Sequence, residues 1–158
     1  MDGNISPLDC ENLNKQFDMI SNVCDTISKG YLIFLVHPAI NQDVPGLEGK
    51  SYAHVKIKNW NANCYSDSAS YKDLIYPMLV EAENRGVEVI HIVGDVGMWQ
   101  KSFHIVSNDG IDYLGSGINN SYNMLTGKPI TGTDKLLVFK HILSTNKLTW
   151  KFIELNSF

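Results

Sequence analysis

Arginine is almost absent from this chain of 158 residues: Arg85 is the only one, and lysine supplies the rest of the 13 basic residues. Proteins that read nucleic acid concentrate arginine and lysine on one face, because the guanidinium group binds phosphates and base edges through paired hydrogen bonds. The formal net charge is −4, which further opposes contact with a polyanion. We therefore expect no nucleic acid among the partners of this protein.

Cysteine is also scarce. Cys10, Cys24 and Cys64 form an odd set without a Cys-x-x-Cys pair, which argues against both a disulfide framework and a zinc knuckle. Free thiols imply a reducing compartment. The polar, acidic N-terminus lacks the pattern of a signal peptide, and no apolar run approaches the roughly 20 residues of a membrane-spanning helix. These absences predict a cytoplasmic protein with no membrane partner.

Repeats and low-complexity tracts are missing as well. The hydrophobic content of 44% and the charged content of 19% are close to globular averages. A chain of this length buries about two thirds of the surface that its unfolded form exposes, so it needs no staple for stability. We therefore expect residues 1–158 to form a single domain.

The first half of the chain predicts a βαβ unit. Apolar residues at spacings of three and four predict a helix over residues 10–28, and the apolar run over 31–36 predicts a strand covered on both faces. After a long polar stretch, a second helix is predicted from Ser70, with Pro77 marking either a kink or its true first turn. The run VEVIHIV over 87–93 predicts a second buried strand, parallel to the first.

The second half predicts two antiparallel hairpins. Residues 101–106 and 111–117 flank the sequence Ser-Asn-Asp-Gly, which tolerates the positive φ of a tight turn. Residues 135–143 and 147–155 flank a second turn, and their alternation predicts one solvated face. The fold class is thus α/β, with a mixed β-sheet in which a βαβ unit is followed by antiparallel hairpins.

Both predicted strands of the βαβ unit lead into a residue that binds metals in proteins. His37 follows the first strand and Asp95 follows the second, and ligands of parallel sheets collect beyond the carboxyl ends of the strands. Burial keeps an imidazole neutral, the form that coordinates metal. Gly94 and Gly97 flank Asp95 and leave room for an ion or a phosphate. The alternative is that Asp95 caps a turn and His37 is a hydrogen-bonded loop residue.

Other candidate ligand-binding residues fall in the loops. His54 lies in the long polar loop and Asn119 in the glycine-dotted loop that follows the first hairpin. Trp60 and Trp99 are suited to wall a ligand pocket or, equally, to pack their loops against the domain. Histidines inside predicted strands are expected instead to be packed or to face the surface. These are His91, His104 and His141.

In their order, these features resemble the C-terminal half of a calcineurin-like metallophosphoesterase. The similar segments are a helix with a glutamine, NKQFDMI; a strand that ends in a histidine, IFLVHPAI; a loop with a tryptophan, KNW; a helix with a proline, LIYPMLVEAENRGV; a strand that ends in a glycine motif, VIHIVGDVG; and DGIDYLGSGI. Together they span roughly residues 1–120. The resemblance implies half of an αββα sandwich, with His37 and Asp95 among the ligands of a divalent metal (Mn, Fe, Zn or Ni) and with a phosphate-containing small molecule as partner.

The chain departs from this family in its metal motifs. Where the family has Gly-His-x-His, this chain has Gly-Asp-Val-Gly over 94–97, and the three earlier motifs, Asp-x-His, Gly-Asp-x-x-Asp and Gly-Asn-His-Asp, do not occur in it. A two-metal hydrolase needs six or more ligands to clamp a phosphate and activate a water. His37 and Asp95 do not reach that number, even with His54 and Asn119. The resemblance therefore implies a fragment or a degenerate form of a phosphate ester hydrolase.

Three hypotheses follow. The first is a metallophosphoesterase-like domain that acts only when further ligands complete it, and the second is a non-catalytic module that binds a small ligand or a protein. A third, a hydrolase with another nucleophile, is disfavoured because no Gly-x-Ser-x-Gly elbow occurs. Half of a two-sheet sandwich leaves a sheet edge or face bare, so we also expect a homo-oligomer.

Overall fold

The computed structural model describes residues 10–36, 44–46, 71–93, 102–116 and 134–155. It contains three helices and six strands within those ranges. The helices are α1 (Cys10–Thr26), α2 (Tyr71–Leu74) and α3 (Tyr76–Asn84). The strands are β1 (Gly30–Val36), β2 (Val87–Val93), β3 (Ser102–Val106), β4 (Asp112–Ser116), β5 (Lys135–Ile142) and β6 (Lys147–Glu154).

Four strands form a mixed sheet in the order β1-β2-β4-β3, and β5 and β6 form a separate antiparallel hairpin. β1 is parallel to β2, which confirms the predicted strand pairing of the βαβ unit. β3 and β4 form the predicted antiparallel hairpin, but β4 also pairs in parallel with β2 and so lies in the interior of the sheet. The protein is thus mixed α/β, with a mixed sheet and a second, two-stranded sheet.

One face of the mixed sheet, called here the helix face, carries the main core. Alternation along β2 points Val87, Val89 and Val93 to this face, where they are buried against the helices. α1 contributes the stripe Phe17, Ile20 and Cys24, as its spacing predicts. The other members of the core are Val44, Tyr71, Ile75, Tyr76, Leu79, Ala82, Phe103, Ile105, Ile111 and Tyr113.

The β5–β6 hairpin packs on the opposite face, called here the hairpin face. The ring of Trp150 stands edge-on to the ring of His104, with centroids 4.4 Å apart. At the other end, the hydroxyl of Tyr31 accepts a hydrogen bond from the backbone N–H of Leu148 at 2.8 Å and donates one to the carbonyl of Asn146 at 3.0 Å. Exposed and half-buried residues alternate along β6, which confirms its predicted solvated face.

Pro77 marks the first turn of a helix rather than a kink. α2 ends at Leu74, and α3 begins at Tyr76 with its proline in the first turn, where the missing N–H removes no helical hydrogen bond. The predicted single helix is therefore two consecutive ones. Gly86 follows with φ +88° and leads directly into β2. α1 ends at Thr26, two residues before its predicted end, and Gly30 begins β1.

The prediction that β1 is covered on both faces is wrong. Ile33 is 41% exposed and Leu35 is 61% exposed, while Leu32 and Phe34 pack against the core on the helix face. The reason is position: β1 is the outermost strand of the mixed sheet, and the hairpin contacts it near its start at Tyr31.

Within the described ranges, no helix is long and apolar enough to cross a membrane.

Candidate functional site

Two parallel strands of the mixed sheet, β1 and β2, end at register partners, and β4 ends one residue beyond the same line. Val36 of β1 is the register partner of Val93 of β2, and Val93 is the partner of Gly115 of β4. Neighbouring strands are about 4.8 Å apart, so these three positions form a continuous line across the sheet. We call this line the carboxyl edge. Loops leave a parallel sheet at such an edge, and ligands of α/β proteins bind there.

The predicted metal ligands follow this edge in sequence. His37 comes directly after Val36, and Gly94 and Asp95 come directly after Val93. The structure therefore brings together the two strand ends that precede these residues. All eight predicted site residues lie outside the described residues: His37, His54, Trp60, Gly94, Asp95, Gly97, Trp99 and Asn119.

A buried group of polar rings lies one side-chain layer below the carboxyl edge. His91 precedes Val93 by two residues on β2, and its register partners are Phe34 on β1 and Tyr113 on β4. Nδ1 of His91 lies 2.9 Å from the hydroxyl of Tyr71, which lies 3.1 Å from the hydroxyl of Tyr113. We call Tyr71, His91 and Tyr113 the tyrosine–histidine cluster.

The rings of this cluster also pack tightly. The ring of His91 stacks on Tyr71 with centroids 5.4 Å apart, and its centroid lies 4.8 Å from Tyr113 and 5.0 Å from Phe34. His91 is 2% exposed, which confirms that it is a packed residue. Tyr71 is the first residue of α2, so its hydroxyl joins the helix layer to β2 and β4.

Burial keeps the whole cluster uncharged. Desolvation lowers the pKa of His91 to about 3 and raises the pKa of both tyrosines well above their usual range. Near neutral pH, His91 is therefore neither a cation nor an effective acid or base. Its Nε2 is buried and has no hydrogen-bond partner among the described residues. The arrangement suits a structural support under the carboxyl edge.

Sequence reasoning missed the partners of His91. The alternation of VEVIHIV indicates that His91 shares a face with Val89 and Val93, and so a buried polar atom in need of a partner. Nothing in the local pattern identifies Tyr71, 20 residues away, or Tyr113, which belongs to a strand that pairs with β2 only in the folded chain. Such a contact depends on the order of strands in the sheet.

Two other histidines lie toward the hairpin. Nε2 of His104 bonds a carboxylate oxygen of Asp112, its diagonal neighbour across β3 and β4. Nε2 of His141 lies 3.0 Å from the side-chain oxygen of Asn146. Both histidines are exposed, which is one of the two outcomes predicted for histidines inside strands, packed or facing the surface. Each histidine forms a side-chain contact with a residue of its own hairpin, His104 in β3–β4 and His141 in β5–β6.

Carboxylates gather at the other end of the sheet, where β2 and β4 begin. Burial, followed by repulsion from Asp112, raises the pKa of Glu88. Burial also raises the pKa of Glu83, although this carboxylate accepts a hydrogen bond of 2.7 Å from the N–H of Val89. In the part of the chain that the structure describes, no three histidine, cysteine or carboxylate side chains are placed to hold a metal ion.

Comparisons with protein-family models, with curated proteins and with solved structures find no match for this chain.

Proposed function

We propose that the carboxyl edge holds a divalent cation through His37 and Asp95, in a metallophosphoesterase-like domain that binds a phosphate-containing small molecule. The observation that supports this most directly is the register of β1, β2 and β4. The strands before His37 and before Gly94 and Asp95 end at partner residues, Val36 and Val93. An imidazole and a carboxylate are ligands that Mn²⁺, Fe, Zn²⁺ and Ni²⁺ accept.

The shape of the sheet supports a pocket beyond this edge. The described strands β1, β2 and β4 end at Val36, Val93 and Ser116, and 34, 8 and 18 residues of sequence separate these positions from the next described helix or strand. Polar groups from different strands of a parallel sheet converge at such a point. We assign Gly94 and Gly97 to the approach of the phosphate, and His54, Trp60, Trp99 and Asn119 to the walls of the pocket.

The chemistry of a bound cation would be that of a Lewis acid, which clamps a phosphate oxygen and lowers the pKa of an attacking water. Two ligands hold a single ion weakly, because each divalent cation needs several donors to replace its hydration shell. We therefore propose phosphate ester hydrolysis only when further ligands complete the site. The chain by itself is expected to bind metal and phosphate without efficient turnover.

Titration calorimetry with Mn²⁺ and Ni²⁺ tests this proposal. We expect the wild-type protein to bind one ion, and His37→Ala and Asp95→Asn each to weaken binding at least about tenfold, since each removes one of the few ligands. His141→Ala and Asp18→Asn are matched controls in exposed positions and should leave the affinity unchanged. A wild-type protein that binds neither ion would overturn the proposal, as would variants that bind as well as the controls.

A second candidate is a non-catalytic assembly module, favoured by the exposure of Ile33 and Leu35 on β1. β1 is an edge strand of seven residues without a charge or a proline, and such an edge pairs readily with another strand. This module would form homo-oligomers through the edge of β1. Leu35→Lys would then convert the oligomer to a monomer in sedimentation, whereas the metal-site variants would have no effect on its mass.

A further inference from the structure

The β5–β6 hairpin differs in charge from the rest of the protein. Residues 135–154 contain four lysines and one glutamate, a net charge of +3. The whole chain has a net charge of −4, so the residues outside the hairpin carry −7. Positive and negative charge are thus separated along the chain.

Three of these lysines share the outward face of the hairpin. Trp150 faces the mixed sheet through its contact with His104, so its neighbours Thr149 and Lys151 point away from the sheet. Lys140 is the register partner of Thr149, and Lys147 and Lys151 lie two residues to either side of Thr149. Diagonal neighbours on one face are about 7–8 Å apart.

These lysines are exposed on the surface of the hairpin. Lys140, Lys147 and Lys151 form no ion pair with any carboxylate of the described residues. Like charges on one face of a hairpin are mildly destabilising, so the cluster does not contribute to the stability of the isolated domain. Apolar groups accompany it: Val138 is 36% exposed and Leu143, at the turn, is 83% exposed. We call these five residues the basic patch.

α1 presents the complementary combination. Its inner stripe is buried against the core, and its outer surface exposes Asp18 and Asp25, two turns apart and separated by about 10 Å along the axis. Met19, next to Asp18 in the sequence, is 60% exposed. We call Asp18, Met19 and Asp25 the acidic patch.

We propose that the basic patch of one copy of this chain docks on the acidic patch of a second copy. Charge complementarity identifies the occupant: two carboxylates about 10 Å apart face two lysines, Lys147 and Lys151, about 13 Å apart along β6, and the lysine side chains are long enough to make up the difference. Exposed apolar side chains adjoin the charges on both surfaces and become buried together, which gives the contact a hydrophobic contribution.

The two patches lie on opposite sides of the mixed sheet. α1 packs on the helix face with Val87 and Val89, whereas the hairpin packs on the other face through His104. Two copies therefore do not satisfy both patches at once around a twofold axis. The contact is head-to-tail, and it leaves a free patch at each end, so further copies add in series. We expect the average mass to rise with concentration rather than to stop at a dimer.

Sedimentation velocity at several protein concentrations tests this inference. Wild-type protein is expected to associate in 20 mM NaCl and to dissociate in 500 mM NaCl, because salt screens charges across a solvated contact. The double variants K147E/K151E and D18K/D25K are each expected to weaken association by about tenfold or more, since each replaces attraction by repulsion. The single variant K72E, which reverses an exposed lysine on α2 outside both patches, controls for charge reversal elsewhere on the surface and should associate as the wild type does.

Mixing the two double variants is the decisive step. The reversed basic patch of K147E/K151E matches the reversed acidic patch of D18K/D25K, so an equimolar mixture should recover association that neither variant shows alone. Three outcomes would overturn the inference: a wild-type monomer at every concentration in low salt, no recovery in the mixture, or association that persists in 500 mM NaCl. The last would indicate pairing through the apolar edge of β1. Metal binding plays no part in this test, so its result is independent of the proposed function.

Discussion

The hydroxyl of Tyr71 lies 2.9 Å from Nδ1 of His91, across the boundary between the helix layer and the mixed sheet. Tyr71 begins α2, and His91 lies in the centre of three parallel strands, one layer below their common end. Both side chains are buried, so neither can exchange this partner for water. The bond therefore fixes the start of α2 over the part of β2 that leads to Gly94 and Asp95.

We expect Tyr71→Phe to destabilise the protein by about 1–3 kcal/mol, the cost of leaving a buried polar group without a partner. The change removes one hydroxyl that serves both His91 and Tyr113. Tyr113→Phe is the matched control, because it leaves the contact between Tyr71 and His91 intact and should cost less. Urea unfolding measures both free energies. If both variants lost the same free energy of unfolding, the hydrogen bond between Tyr71 and His91 would contribute nothing to stability.

The burial of His91 predicts a loss of stability in acid. Its pKa in the folded protein, about 3, lies below the ordinary value of 6.5. Between these values the unfolded chain binds the additional proton, so the free energy of unfolding falls as pH falls from 6.5 towards 3, by up to about 1.4 kcal/mol per pH unit. About one pH unit above 6.5 both states are neutral at this site, and His91 adds no further pH dependence.

Replacing the imidazole isolates this contribution. His91→Phe keeps an aromatic ring among Phe34, Tyr71 and Tyr113 but does not titrate, so its unfolding free energy should depend less on pH than that of the wild type between pH 6.5 and 4. The measurement is urea unfolding at half-unit pH steps. A slope in His91→Phe as steep as that of the wild type would contradict the prediction.

The parts of the fold that the sequence predicts are those with a strong local signal. The apolar run Val87–Val93 forms β2, and the turn before Ile111 contains Gly110 with φ +92°, as its composition requires. The insertion of β4 between β2 and β3 has no local signal, since it depends on pairing between residues about 20 positions apart. Leu35 is exposed because β1 is the outermost strand of the mixed sheet and the hairpin contacts it near its start at Tyr31.

The candidate site divides in the same way. The sequence predicts that His37 and Asp95 each follow a strand. The structure adds that these two strands end side by side, because Val36 and Val93 are register partners. The tyrosine–histidine cluster beneath them could not be predicted, because Tyr71 reaches His91 only through the packing of α2 on the sheet. Whether the two predicted ligands share one ion remains a prediction for titration with metal.

Gly46 is expected to tolerate no side chain. It has φ +89°, and an added Cβ would lie 2.8 Å from Oδ1 and 2.9 Å from the backbone nitrogen of Asn108. Asn108 cannot move away without losing a hydrogen bond, because its N–H donates to the carbonyl of Pro45 at 3.1 Å. Gly46→Ala should therefore cost more than the roughly 1 kcal/mol of a left-handed backbone alone.

Gly86→Ala is the control for that backbone term. Gly86 has φ +88°, but an added Cβ would meet nothing within 4 Å. Both free energies of unfolding come from urea titrations of the two variants beside the wild type. We expect the loss in Gly46→Ala to exceed that in Gly86→Ala by about 1 kcal/mol or more, as overpacking typically does. Equal losses would show that residues 44–46 yield to the added methyl group.

The hydroxyl of Tyr31 is expected to hold the hairpin against β1. It accepts from the N–H of Leu148 and donates to the carbonyl of Asn146, residues more than a hundred positions away in the chain. Tyr31→Phe removes both bonds and should speed hydrogen exchange at the Leu148 amide by about fivefold, the effect of one hydrogen bond worth about 1 kcal/mol. Nuclear magnetic resonance follows that amide directly.

The amide of Gly110, bonded to the carbonyl of Ser107 in the turn between β3 and β4, is an internal control in the same sample. Faster exchange at both amides would indicate global destabilisation, and unchanged exchange at Leu148 would mean that the hairpin is held by the contact of Trp150 with His104.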